Sequence, residues 1–259
     1  EIPYFVQGSG IARNCGFLIF VDGVPQPYKV KELDTAYQYM HLFELEEDRE
    51  EAYTLQFTPV TGETGNKLSV CITSITNPEF MPDMKDSVSY GHSHQALEAV
   101  YPVLFQADAG QDEALSEAVN TNSREYLRDL EMKEMETDQD YIRELEEEGH
   151  AGAMDLEKDV QTRLYISEES MLLPEAADIT GKETIHVRYI ILGHPGAEYK
   201  TAFYLNHEPL AYDGEKSFLS VLKSGQMGVI EFDLDTADLE NTTFYAISVP
   251  CNSADYPND

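Results

Sequence analysis

Residues 17–28 read Phe-Leu-Ile-Phe-Val-Asp-Gly-Val-Pro-Gln-Pro-Tyr. An apolar run, a two-residue break and a second apolar start are the marks of a β-hairpin. Asp22-Gly23 supplies the turn, because a two-residue hairpin loop needs positive φ and glycine accepts it without a Cβ clash. The stretch returns at residues 201–212 as Thr-Ala-Phe-Tyr-Leu-Asn-His-Glu-Pro-Leu-Ala-Tyr. Phe20 falls on Tyr204, Val21 on Leu205, Asp22 on Asn206, Pro25 on Pro209 and Tyr28 on Tyr212, without a gap. The chain is therefore expected to hold two copies of one β unit.

The flanks repeat in the same order. Residues 2–6 and 187–192 are apolar runs that end in glycine-containing loops. Residues 39–43 correspond to 218–222, and 53–57 to 228–232, where Tyr53, Leu55 and Phe57 alternate with Thr54 and Gln56. A last strand follows in each copy, 67–74 and 242–249. Short strands separated by turns predict a mainly β protein of two antiparallel sandwich domains arising by internal duplication. The expected boundaries are 1–90 and 161–259, with residues 91–160 as an insert. Within the insert, residues 93–106 suit a short helix or a strand broken at Pro102. Leu115, Ala118, Val119, Tyr126, Leu127 and Leu130 recur at spacings of three and four, which predicts an acidic helix over 112–148.

The second copy has strand-like residues ahead of its Tyr189 strand, and the first copy starts almost on its Tyr4 strand. The flank beside residues 4–6 thus lacks a strand; residues 100–105 are expected to cover it, since proline is tolerated on an edge, with residues upstream of Glu1 or a strand of another copy as the alternatives. The chain opens at Glu1 with no charged-then-apolar leader, as a mature product or an excised fragment would.

The chain carries 49 acidic and 17 basic residues, a formal charge of −32. Such a surface repels nucleic acid and anionic lipid, and it favours solubility, cations or a basic partner. No apolar run approaches the roughly 18 residues of a membrane span, so direct membrane insertion is not expected. Cys15, Cys71 and Cys251 show no metal spacing and read as buried free thiols. Gly8-Ser9-Gly10 is a turn and not a nucleophile elbow. His92 and His94 form the one close histidine pair, with no third ligand in view. Asp233, Asp235 and Asp238 are the candidate metal ligands: carboxylates expected on a loop at a sandwich end, where oxygens could converge on Ca²⁺. No other cofactor is expected, and no catalytic residue is assigned.

The hairpin Phe20-Val21-Asp22-Gly23-Val24-Pro25, followed by an apolar strand, a Phe-ending strand and a final alternating strand, resembles immunoglobulin-like domains of bacterial cell-surface proteins, the cell-adhesion-related type in particular. The resemblance covers both copies and omits the acidic middle. It implies an extracellular or surface location and a non-catalytic binding or structural module that contacts protein or glycan. The alternative is a subunit of a pilus or filament that self-associates through its sandwich edges.

Overall fold

The computed structural model describes residues 1–8, 14–44, 46–47, 49–79, 94–110, 115, 124–137, 142–143, 155–167, 169–171 and 178–251. Their elements are seventeen strands and one 3-10 turn, Lys31–Leu33. Four antiparallel sheets result. The first sheet orders β1 (Ile2–Gln7), β6 (Glu50–Gln56) and β4 (Lys29–Val30). The second orders β3 (Val24–Gln26), β2 (Asn14–Val21), β7 (Lys67–Thr76) and β8 (His94–Leu104), with β5 (Met40–Glu44) also on β2. In the third, β13 (Glu198–Leu205) pairs with β14 (Glu208–Pro209), β15 (Phe218–Val221) and β17 (Phe244–Pro250). The fourth orders β11 (Glu169–Met171), β10 (Val160–Ile166), β12 (Thr184–Gly193), β16 (Gln226–Asp235) and β9 (Leu127–Glu136).

The hairpin motif is what stacks these sheets. Along β2 the odd positions Cys15, Phe17, Ile19 and Val21 enter one apolar cluster with Val6, Phe43, Leu55 and Ile72. That cluster lies between the first and second sheets. The even positions Leu18 and Phe20 enter another, with Cys71, Ile75, Ala202, Tyr204, Tyr245, Ile247 and Val249. This cluster lies between the second and third sheets. On β13 the even positions Ala202 and Tyr204 face that seam, and the odd positions Phe203 and Leu205 face the fourth sheet with Val187, Ile191, Ile230 and Phe232. A strand buried on both faces reads as a continuous apolar run. That is why β2 and β13 look alike and stand out from their neighbours. The result is two β-sandwiches stacked through their inner sheets, four layers deep.

Across residues 127–136 the insert forms a strand and not the expected acidic helix. Residues 127–136 are strand β9, paired with β16 from Gln226↔Glu136 to Leu234↔Leu127. The apparent helical spacing of Leu127 and Leu130 comes from a β-bulge. Two residues of β9, Asp129 and Leu130, oppose the single Phe232, and Asp129 takes a φ of 50°. An extra residue lets both leucines face the core, which mimics an i,i+3 stripe. Most of 112–148 outside β9, including Val119, lies outside the described residues. Residues 94–104 form an unbroken strand with Pro102 on the sheet border, and they pair with β7, not with the flank beside Tyr4 and Val6. All three cysteines are free and buried.

Phe20 is fully buried in the seam and meets Tyr204 edge to face at 6.4 Å. Replacing it with Ala is expected to cost about 3–5 kcal/mol. Because the seam joins both sandwiches, urea unfolding followed by near-UV and far-UV signals should shift as one transition. A shift confined to one of two separated transitions would contradict the stacked arrangement.

Candidate functional site

The polar side chains that lie within the seam belong to the two hairpin turns and the strands they grip. Each turn has two residues: Asp22 and Gly23 with φ of 49° and 74°, and Asn206 and His207 with φ of 48° and 70°. Positive φ at both positions is the primed hairpin turn the first copy announces. In the second turn histidine stands where the first has glycine, and a non-glycine residue there is strained.

At one end of the seam Lys200 of β13 reaches the first turn. Its Nζ donates to the Asp22 carbonyl at 2.9 Å and to Asp22 Oδ2 at 3.1 Å. Gly23 is needed here for space as well as for φ, since a Cβ would sit 2.7 Å from Lys200 Cβ. At the other end the second turn reaches across to the first sandwich. His207 Nε2 donates to the Pro78 carbonyl at 2.9 Å, which leaves Nδ1 to accept from the Tyr245 hydroxyl at 3.0 Å. Acceptance at Nδ1 requires the neutral ring, and burial holds the His207 pKa below its ordinary value against the opposing pull of the Pro78 carbonyl and Glu79. Beside it, Lys216 Nζ donates to the Tyr39 hydroxyl at 2.8 Å and sits 4.7 Å from the centre of that ring. Burial pushes the Lys216 ammonium down to about 8, with Glu208 opposing, and burial raises the Glu208 carboxyl in turn. The Tyr204 hydroxyl is buried and unpartnered, its ring stacked on Tyr245 at 5.0 Å. These groups hold protons and fasten one sandwich to the other.

The acidic residues singled out as Ca²⁺ ligands sit elsewhere, at the β16–β9 border. Asp233 and Asp235 are on β16 and not on a loop; only Asp238 follows the strand. Asp233 Oδ1 lies 3.0 Å from His186 Nδ1. The Asp235 carboxylate is held by Arg124 at 3.1 Å and by Arg128, and Arg124 also takes Asp238. A hydrogen bond from the Ala237 N–H, followed by the two arginines, keeps the Asp235 carboxyl below the usual carboxylate range. Asp235 and Asp238 thus meet guanidinium groups and Asp233 the His186 ring, and among the described residues no three His, Cys, Asp or Glu side chains converge as a metal site. Ser9, Gly10 and His92 lie outside the described residues, and His94 opens β8.

Sequence reasoning missed the seam residues Lys200, His207 and Lys216. One signal was present: the repeat sets His207 against Gly23, at a position where the turn asks for glycine.

The sign of the pH response follows from the buried histidines. His207 and His41 both have pKa values lowered by burial. As pH falls through the ordinary histidine value of about 6.5, the unfolded chain takes up protons first, so stability declines on acidification and levels off below the folded-state values. Urea midpoints at pH 8, 7, 6 and 5 should show the decline, and a His41→Gln/His207→Gln variant should show a shallower one. Equal slopes would exclude these two residues as its source. Competitive acetylation across a pH series should likewise titrate Lys216 with a midpoint near 8, well below the roughly 10.4 of exposed lysines. No family model, no curated protein and no solved structure matches the chain, and its function is read from its own geometry.

Proposed function

We propose that the chain is a non-catalytic binding or structural module of an exported cell-surface protein. It is built from two duplicated immunoglobulin-like sandwiches of the kind found in bacterial adhesion-related proteins. The support for duplication is the shared pairing. β2 pairs with β3, β5 and β7 as β13 pairs with β14, β15 and β17, and β1 pairs with β6 as β12 pairs with β16. The observation that carries the functional reading is the seam. The two sandwiches join face to face over a buried apolar cluster, and each hairpin turn fastens onto the other sandwich. Such a body is a stiff spacer whose reactive groups are engaged internally, and it presents partners with strand edges and an acidic surface. Protein or glycan contacts suit that surface, and nucleic acid does not. No helix among the described residues is long and apolar enough to cross a membrane.

A subunit of a pilus or filament is the second reading, favoured by the outer edges of β1 and β17, which carry no further strand among the described residues. Light scattering on the purified 259-residue chain separates the two. The module reading expects a monomer at micromolar concentration in physiological salt. Concentration-dependent growth in mass would favour the assembly.

A further inference from the structure

The two sandwiches differ at one matched place. In the second, β12 has β16 on one side and β10 on the other, where β10 pairs from Val160↔Gly193 to Ile166↔Val187. In the first, β1 has β6 on one side and, among the described residues, no strand on the other. The direction of the opening is set by ring contacts. Tyr53 of β6 lies against Phe43 of β5 at 4.8 Å, and Tyr4 of β1 lies against Phe17 of β2 at 4.9 Å. Stepping from β6 to β1 therefore follows the step from β5 to β2. The facing sheet continues to β7 and β8, and the sheet of β1 does not. On β8, Tyr101 pairs with Val70 and Val103 with Leu68, so both lie on the face turned toward the opening. Tyr101 is 38% exposed.

The main-chain groups of this edge can be assigned. The Thr54 N–H is taken by the Glu32 carboxylate at 2.6 Å, on the β4 side of β6. Thr54 is opposite Pro3, so alternate residues Ile2 and Tyr4 bond to β6, while Pro3, Phe5 and Gln7 turn their main-chain groups outward. Pro3 has no N–H to offer. The outward donors are thus Phe5 and Gln7, which among the described residues make no main-chain hydrogen bond outside the ladder. The Phe5 side chain is 64% exposed.

We propose that the open edge of β1 accepts an extended segment of another polypeptide as an added antiparallel strand, in the place that β10 fills beside β12. This rests on the reading of the chain as a binding module and names the kind of partner. The occupant carries apolar residues at alternate positions, as β10 turns Val160, Leu164 and Ile166 to its core, and these cover Tyr101 and Val103. It is neutral or basic. Glu1, Glu47, Glu50 and Glu51 surround the edge, while Lys31 and Arg49 are drawn into pairs with Glu1, Glu46 and Glu51. A second copy paired β1 to β1 would bring Glu1 of each chain to the Glu50–Glu51 end of the other, which is unfavourable between bodies that each carry −32. Main-chain bonds supply the affinity and the alternate apolar pockets the selectivity.

The probe is a synthetic peptide with the sequence of residues 158–167, Lys-Asp-Val-Gln-Thr-Arg-Leu-Tyr-Ile-Ser, added to the intact chain. Anisotropy of the labelled peptide should report saturable binding, and amide exchange at Phe5 and Gln7 should slow. Phe5→Pro removes an outward donor that makes no bond among the described residues. It is expected to weaken peptide binding at least tenfold with little change in melting temperature, and Tyr101→Ser should weaken it without altering the main chain. Binding that ignores both substitutions, or protection that appears elsewhere, overturns the proposal. A monomer that does not bind the peptide also overturns it and leaves the module reading standing. If the chain self-associates without peptide and protects Phe5 by itself, the occupant is a second copy and the proposal is wrong.

Discussion

Apolar packing of one sheet face against another, at the seam between β2 and β13, is the constraint from which the architecture follows. Phe20 and Leu18 cannot meet Tyr204 and Ala202 unless both strands surrender their second face, because Phe17 and Ile19 on the one and Phe203 and Leu205 on the other already line separate cores. Once both strands are buried twice over, every strand beside them is placed. β7 and β17 extend the seam, and the outer sheets close the two cores. The polar fastenings at either end then act as register marks. Lys200 on Asp22 and His207 on Pro78 fix how the sheets lie on each other.

The hairpins were the most legible part of the sequence, because positive φ at Asp22 and Gly23 is a demand few residue types meet. Matching Asp22 to Asn206 put both turns in place. What could not be read was the fate of strands that lack an apolar alternation. β9 holds its position through cross-strand charge: Arg128 with Asp235, Lys133 with Glu231 and Lys223 with Glu134. Charge pairs between residues about a hundred positions apart leave no local period, while the bulge at Asp129 produced a false one. Residues 100–105 were rightly suspected of joining the first sandwich and assigned to the wrong border. Hydrophobicity says that a strand is wanted and does not say by which of two edges.

The candidate site was less legible than the fold for a related reason. Asp233, Asp235 and Asp238 drew attention by their density, and density in a chain with 49 acidic residues carries little information. Their partners Arg128 and His186 lie on other strands, and Arg124 lies just ahead of β9. The seam residues are sparse in sequence and converge only in space. His207 betrays itself through strain, and Lys216 through the loss of water around its amine.

The close approach of Gly23 to Lys200 has an evolutionary reading. A turn that belongs to one sandwich can accept a side chain only if a strand of the other moves aside. Substitutions in the two halves are therefore not judged separately by selection. Whatever their origin, halves locked in this way lose the freedom of ordinary tandem modules to be shuffled, deleted or exchanged one at a time. The heritable unit is then the stacked pair.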